Sequence, residues 1–176
     1  MEQRTQLNEV VQLLLYEGGD IMACRKRLER LFRDQNVRFS VAKHEEEYSA
    51  QRVAGLLHIP GQQLAKVVMV KADDTLAMLV VPAPERVDLA KAKKALRADK
   101  VELAPEQDFG ECFPDCEVGA MPPFGNLYDI EVYVDRSMST QNQIAFPAGT
   151  HREIMRVAYR DFERLVEPTL ADLCRG

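Results

Sequence analysis

The chain has 176 residues, 46% of them hydrophobic and 29% charged, the proportions of one ordinary globular domain with a single sizeable core. No apolar run approaches the roughly 18 residues of a membrane helix, and the polar N-terminus lacks the basic-then-apolar layout of a secretion signal, so a cytoplasmic protein with no membrane partner is expected. A net charge of -5 argues against broad, non-specific nucleic-acid binding and leaves room only for local basic patches.

In chain order, Leu7, Val10, Val11 and Leu14 follow helical spacing, and Ile21, Cys24, Leu28, Leu31 and Phe32 do so again. Gly18 and Gly19 divide the two segments, with Asp20 as a plausible N-cap. A helical hairpin over residues 1–36, accessory to the core, is therefore predicted. Val37, Phe39 and Val41 alternate as in a strand. Ser49 caps a helix presenting Val53, Ala54 and Leu57. Residues 65–71 and 75–81 read as a hairpin turned at Asp73 and Asp74, and Pro82 and Pro84 end the pairing. Asp88 caps a helix through Ala98 with Leu89, Ala92 and Leu96 inward. A short strand at 101–103 and a short helix after Pro105 follow. Residues 119–126 must form a loop, because paired prolines continue neither a helix nor a central strand. Strands at 130–134, 143–146 and 154–157 and a helix over 160–166 complete the chain. The expected fold is α/β of the α+β kind: a mixed, largely antiparallel sheet or partial barrel flanked by helices.

Two runs of cations carry helical spacing: Arg25, Lys26, Arg27, Arg30 and Arg33, then Lys91, Lys93, Lys94, Arg97 and Lys100. Each is either a solvated helix face or a nucleic-acid contact. The four cysteines, Cys24, Cys112, Cys116 and Cys174, read as structural or surface thiols. No second pair or nearby histidine joins Cys112 and Cys116 in a zinc site.

No serine-hydrolase elbow, metalloprotease helix or Walker loop is present. A histidine mechanism would have to use His44, His58 or His151, and His58, before Pro60, reads as structural. Four features remain. His44 follows a strand and precedes Glu45, Glu46, Glu47 and Tyr48, with the three glutamates reading as a solvated turn. Lys66 lies inside an apolar strand, where lysine is costly to bury; by sequence it is either a working cation or a strand-edge lysine whose head reaches water. Gly119-Ala120-Met121-Pro122-Pro123-Phe124-Gly125 is a stiff loop. Phe146-Pro147-Ala148-Gly149-Thr150-His151 is a second glycine-bearing turn between strands.

In this order the four features resemble the YbaK/ProX family of aminoacyl-tRNA deacylases, related to the editing insertion domain of bacterial prolyl-tRNA synthetases. The resemblance covers roughly residues 37–167. It implies a deacylase domain over 37–176 behind an N-terminal helical extension over 1–36. It implies hydrolysis of the ester joining a wrongly attached amino acid to the terminal adenosine of a tRNA, with no metal, no cofactor and no covalent protein nucleophile. The implied partners are the acceptor end of a mischarged aminoacyl-tRNA and an aminoacyl-tRNA synthetase. Lys66 matches the family's essential lysine, a positioned cation. Gly119 and Gly125 would give backbone donors to the oxyanion, and His151 a hydrogen bond to substrate or water. His44, Met121, Pro122, Pro123, Phe124, Phe146 and Gly149 would shape the substrate pocket. The resemblance also implies that the free ribose hydroxyl helps position the attacking water. Val67 stands where many members carry a small polar residue. The alternatives are a module that binds a tRNA 3' end or nucleotide without hydrolysis, and a protein that docks on a synthetase through its first 36 residues.

Overall fold

A computed structural model describes residues 16–17, 20–21 and 23–176. After a two-residue antiparallel ribbon, β1 (Tyr16–Glu17) with β2 (Asp20–Ile21), come α1 (Cys24–Asp34), β3 (Phe39–Lys43) and α2 (Ala50–Leu56). The hairpin β4 (Ala65–Ala72) and β5 (Thr75–Pro82) leads to α3 (Leu89–Leu96), β6 (Val101–Leu103) and α4 (Glu106–Phe109). The chain closes with β7 (Glu131–Asp135), α5 (Arg136–Ser139), β8 (Gln143–Pro147), β9 (Glu153–Ala158), α6 (Tyr159–Val166) and β10 (Thr169–Ala171).

Two open sheets result. One has five strands in the order β10-β7-β5-β4-β6, and the other is β3-β9-β8. β5 runs parallel to β7 and β7 to β10, and the remaining pairs are antiparallel. The sheets meet where Leu64 bridges Ala145. The expected mixed, largely antiparallel α+β architecture is what forms, without closure into a barrel. No helix of the described residues is long and apolar enough to cross a membrane.

Local chemistry accounts for most elements. Asp73 takes a left-handed φ of 53° and bonds the N–H groups of Asp99 and Lys100, so the β4–β5 turn also docks the chain entering β6. The Ser49 side chain accepts from Arg52 N, and Asp88 accepts from Ala90 N and Lys91 N, each satisfying helix N–H groups that have no intrahelical partner.

The N-terminal expectation changes in two ways among the described residues. The helix predicted at residues 7–14 and its break at Gly18 and Gly19 lie outside the described residues. Asp20 is in β2 rather than at a helix cap, and α1 begins at Cys24 with no side-chain cap. Nor is α1 peripheral: Leu28 and Phe32 are fully buried in the main core beside Phe124 and Phe146. Its apolar stripe faces the inner side of both sheets, which would otherwise lie open to water. Arg27 is 1% exposed, so the first basic run is not one solvated face. α5 and β10 were not expected.

Candidate active site

A pocket of about 100 Å³ opens between the two sheets where β4 and β9 approach α2. Its apolar wall comes from Ala50, Val53, Leu64, Ala65, Val67, Pro147 and Ile154. Its polar side carries His44, Glu47, Tyr48, Lys66, Gly119, Thr150 and His151. Four of the residues singled out in the sequence, His44, Lys66, Gly119 and His151, are thus brought together.

The geometry follows from main-chain pairing. His44 N–H donates to Arg152 O at 2.9 Å and Glu47 N–H to His151 O at 3.1 Å, prolonging the β3–β9 ladder and setting His44 beside His151. The two glycine turns are joined as well. Glu117 N–H donates to Gly149 O, Gly149 N–H to Ala120 O, and His151 N–H to the Glu117 carboxylate. His151 Nε2 lies 2.9 Å from Val118 O. A Cβ at Gly119, whose φ is +84°, would sit 3.4 Å from His151 Cε1. The glycine therefore lets the histidine ring lie on the loop.

The hydrogen bonds fix the histidine tautomers when the rings are neutral. His44 Nδ1 lies 2.6 Å from Glu45 O. A carbonyl oxygen only accepts, so Nδ1 carries the hydrogen and Nε2 the lone pair. That Nε2 is buried and unpartnered, on a residue lining the pocket. Tyr48, 70% exposed, places its ring 4.4 Å from that of His151. Its hydroxyl donates to Glu46, which also pairs with Arg152. The Tyr48 hydrogen bond and then Arg152 hold the Glu46 carboxyl below its ordinary value.

Lys66 shares its strand parity with Val68 and Val70, which pack toward α3. Its half-buried ammonium donates to Glu85 O at 2.5 Å and Ala83 O at 3.4 Å. Burial pushes its pKa down, because desolvation disfavours the charged form. Lys66 thus lines the pocket from its strand while its ammonium rests on the α3 side of β4, held by main-chain carbonyls of the turn after β5.

The other expected site residues fall elsewhere. Met121, Pro122, Pro123 and Phe124 are buried, as is Phe146, and none lines the pocket. Phe124 packs against Phe32, Phe146 and Phe162. The loop anchors itself in the core instead of wrapping a ligand, because its apolar middle gains more from burial there. Gly125 is a packing glycine: a Cβ would lie 2.8 Å from Ile130 O and from Val132 Cγ2. Of the two expected oxyanion donors, Gly125 is buried off the pocket and Gly119 is engaged within its own loop. Gly119 N–H points at Met121 Sδ, 3.2 Å away, and Ala120 N–H at Glu117 O. Gly149, at φ +92°, is buried against Cys24. Glu47, Tyr48 and Thr150, neighbours of His44 and His151 in their motifs, also line the pocket with Ile154, though none was read from the sequence as a site residue.

Behind these turns Cys24, Asp115 and Cys116 gather, their ligand atoms all within 4.8 Å of one another. Tyr128 OH donates to Asp115 Oδ1 at 2.9 Å. The Arg27 guanidinium lies 3.2 Å from Asp115 Oδ2 and 4.5 Å from the Tyr128 ring centroid. The Cys24 contact and burial push the Cys116 thiol up, which favours S–H over thiolate. A guanidinium already faces the carboxylate, so this donor set does not suit a metal ion.

A small pocket at a sheet junction thus gathers His44, His151, Lys66 and the Gly119 turn. Residues 44–165 match the model of the aminoacyl-tRNA editing domain, and the chain belongs to that family. Among its relatives is proline–tRNA ligase of Bacillus cereus (strain AH187), 28% identical over 95 residues, which are 54% of this chain and 17% of the ligase. Proline–tRNA ligase 1 of Bacillus thuringiensis subsp. konkukian (strain 97-27) matches to the same extent. The match thus spans under a fifth of these ligases. A crystal structure described as that of a candidate trans-editing enzyme for prolyl tRNA synthetase superposes with a TM-score of 0.75 at 18% identity, covering 89% of this chain and 100% of that one. At that identity the likeness shows the fold.

Proposed function

We propose that this chain removes a small, wrongly attached amino acid from a tRNA, working in trans to a synthetase. The observation that carries the proposal is the pocket itself: about 100 Å³ with a wall of Ala50, Val53, Leu64, Val67 and Ile154. Such a wall excludes by size. One methylene is worth only about 1–3 kcal/mol of discrimination, which is why synthetases need a second sieve. Similarity to an internal stretch of prolyl-tRNA ligases supports misacylated prolyl-type tRNA as the substrate class and a synthetase as the upstream partner.

In this reading water attacks the ester carbonyl. His44 Nε2, an unpaired acceptor at the pocket, takes a hydrogen bond from the water or the substrate amino group. His151, fixed by Val118 O, orients the neighbouring ribose. Lys66 leaves its carbonyl partners on the α3 side of β4 and turns its ammonium to a substrate oxygen, supplying positive charge where negative charge develops. Lys66→Ala should abolish deacylation without unfolding the protein.

The test is deacylation of a panel of charged tRNAs by wild type and Lys66→Ala: Ala-, Cys- and Ser-tRNA(Pro), Ser-tRNA(Thr) and Ala-tRNA(Ser). Hydrolysis of one or a few, lost in the variant, is the expected result. Full activity in the variant would defeat the role given to Lys66. No hydrolysis with tRNA still bound would make the domain a binding module.

A further inference from the structure

Side chains alternate along a strand, so Ile154, Arg156 and Ala158 of β9 share one face of the three-stranded sheet. The register adds Ser40 beside Arg156 and, from β8, Pro147, Ala145 and Gln143 beside Ile154, Arg156 and Ala158. The pocket touches the Pro147–Ile154 end of this face. At the Gln143–Ala158 end lies a groove of about 640 Å³. Arg38, Arg156 and Arg160 line it, with Asn36, Ser40 and Gln143 as neutral hydrogen-bonding neighbours.

The charge here is uncompensated. Arg25, Arg27, Arg33, Arg52, Arg152 and Arg164 all meet carboxylates at 2.5 to 3.7 Å. Among the described residues Arg38, Arg156 and Arg160 meet none. The groove's one carboxylate, Asp161, has Arg164 3.7 Å away. In a chain of net charge -5, three free guanidiniums in one depression concentrate a field that attracts an anion. The two basic runs read from the sequence serve less well. α1 spends Arg25, Arg27 and Arg33 on Glu29, Glu153 and Asp115. α3 packs on the face of β4 that carries Val68 and Val70, across the sheet from Ala65 and Val67 at the pocket.

From Ile154 to Ala158 the strand advances about 13 Å at ~3.3 Å per residue, the rise of about four stacked nucleotides at ~3.4 Å each. We infer that this groove binds the phosphate backbone of the tRNA 3' strand at the base of its single-stranded tail, while the terminal aminoacyl ester occupies the pocket. The inference rests on the editing reading of that pocket. Guanidiniums pair with phosphate oxygens in a fork and carry no base information, so the groove supplies affinity and register, and sequence preference must arise elsewhere.

The test is the triple variant Arg38→Gln/Arg156→Gln/Arg160→Gln, with a triple lysine variant that keeps the charge. Three measurements are made: hydrolysis of the aminoacyl-tRNA, hydrolysis of the same amino acid esterified to adenosine, and salt-dependent binding of uncharged tRNA. The glutamine variant should raise KM for the tRNA ester at least about tenfold with kcat unchanged, and flatten the salt slope by about one per arginine removed. It should hydrolyse the adenosine ester as wild type does, and the lysine variant should recover most of the tRNA affinity. An unchanged KM and salt slope would overturn the inference, and so would equal loss on both esters. If wild type cleaves neither ester yet binds tRNA through these arginines, the deacylase reading fails and the groove stands. If both esters are cleaved and the variant binds tRNA normally, the groove fails alone.

Discussion

Arg27 and Asp115 meet inside the protein, N···O 3.2 Å apart with side chains 1% and 0% exposed. The pair ties α1 to the segment that leads into the Gly119 turn, and the Tyr128 ring lies against the guanidinium. Removing one partner of such a pair leaves the other charge buried, at a cost of about 3–5 kcal/mol. Arg27→Met should therefore lower the unfolding free energy by about that much in urea denaturation. The double variant Arg27→Met/Asp115→Asn should recover a large part of the loss, because no lone charge remains. A single-variant loss below about 1 kcal/mol would mean that water reaches the pair.

Gly149 should not tolerate alanine. Its φ of +92° already disfavours an L side chain, and the added Cβ would lie 2.4 Å from Cys24 Cβ and 3.0 Å from Cys24 Sγ. The strained backbone alone costs on the order of 1–3 kcal/mol. Gly149→Ala should lose at least that in thermal or chemical unfolding, and Cys24→Ala should not rescue it, since the nearest atom is the Cβ that alanine keeps. Full rescue by Cys24→Ala would show that the sulfur alone sets the limit.

The local signals of this chain were legible and the distant ones were not. The β4–β5 hairpin announces itself through two apolar runs around Asp73 and Asp74, and the helix after Asp88 through its cap. His44, Lys66, Gly119 and His151 could be grouped because their motifs keep a family order. The family resemblance implies Phe124 and Phe146 at the pocket, but a large aromatic beside an exposed turn gains more by entering the core, and both are fully buried. Arg27 looked like one cation in a solvated row, since its partner Asp115 is remote in sequence. Cys24 and Cys116 meet for the same reason. β10 is three residues long and exists because Asp135 holds the chain just beyond it, a contact that no periodicity encodes.

That Asp135 contact gives a pH-dependent prediction. Burial pushes the Asp135 carboxyl up, but hydrogen bonds from Ser137 Oγ, the N–H groups of Leu173 and Ser137 and the Cys174 side chain outweigh it, leaving the pKa below the ordinary value. A depressed carboxylate stabilises the fold above its unfolded pKa of about 3.9, and that stability is lost as pH falls through the folded value. Asp135→Asn should thus cost about 1–3 kcal/mol at neutral pH. The gap to wild type should close as the pH is taken below about 4, where the wild-type carboxyl gains its proton. Unfolding curves at several pH values check this; a gap that stays constant into acid would mean that the carboxylate charge contributes nothing.

His44 should separate chemistry from packing. Its Nδ1 is committed to Glu45 O and its Nε2 is buried without a partner on the pocket wall, so the neutral ring offers one acceptor and nothing else. His44→Phe keeps a ring and deletes that acceptor, whereas His44→Gln shortens the reach but retains an acceptor oxygen. If Nε2 takes a proton or hydrogen bond from the attacking water, the phenylalanine variant should lose about 10²–10⁴-fold in kcat, the usual range for general base catalysis. The glutamine variant, whose amide oxygen accepts a hydrogen bond but not a proton, should lose as much if Nε2 is the base and markedly less if Nε2 only holds the water. If the histidine only fills space, the order reverses: phenylalanine stays active and glutamine, by cavity formation, loses stability. Single-turnover deacylation beside thermal unfolding of both variants distinguishes the two. Equal kcat in His44→Phe and wild type would remove His44 from the reaction and leave Lys66 and His151 to carry it.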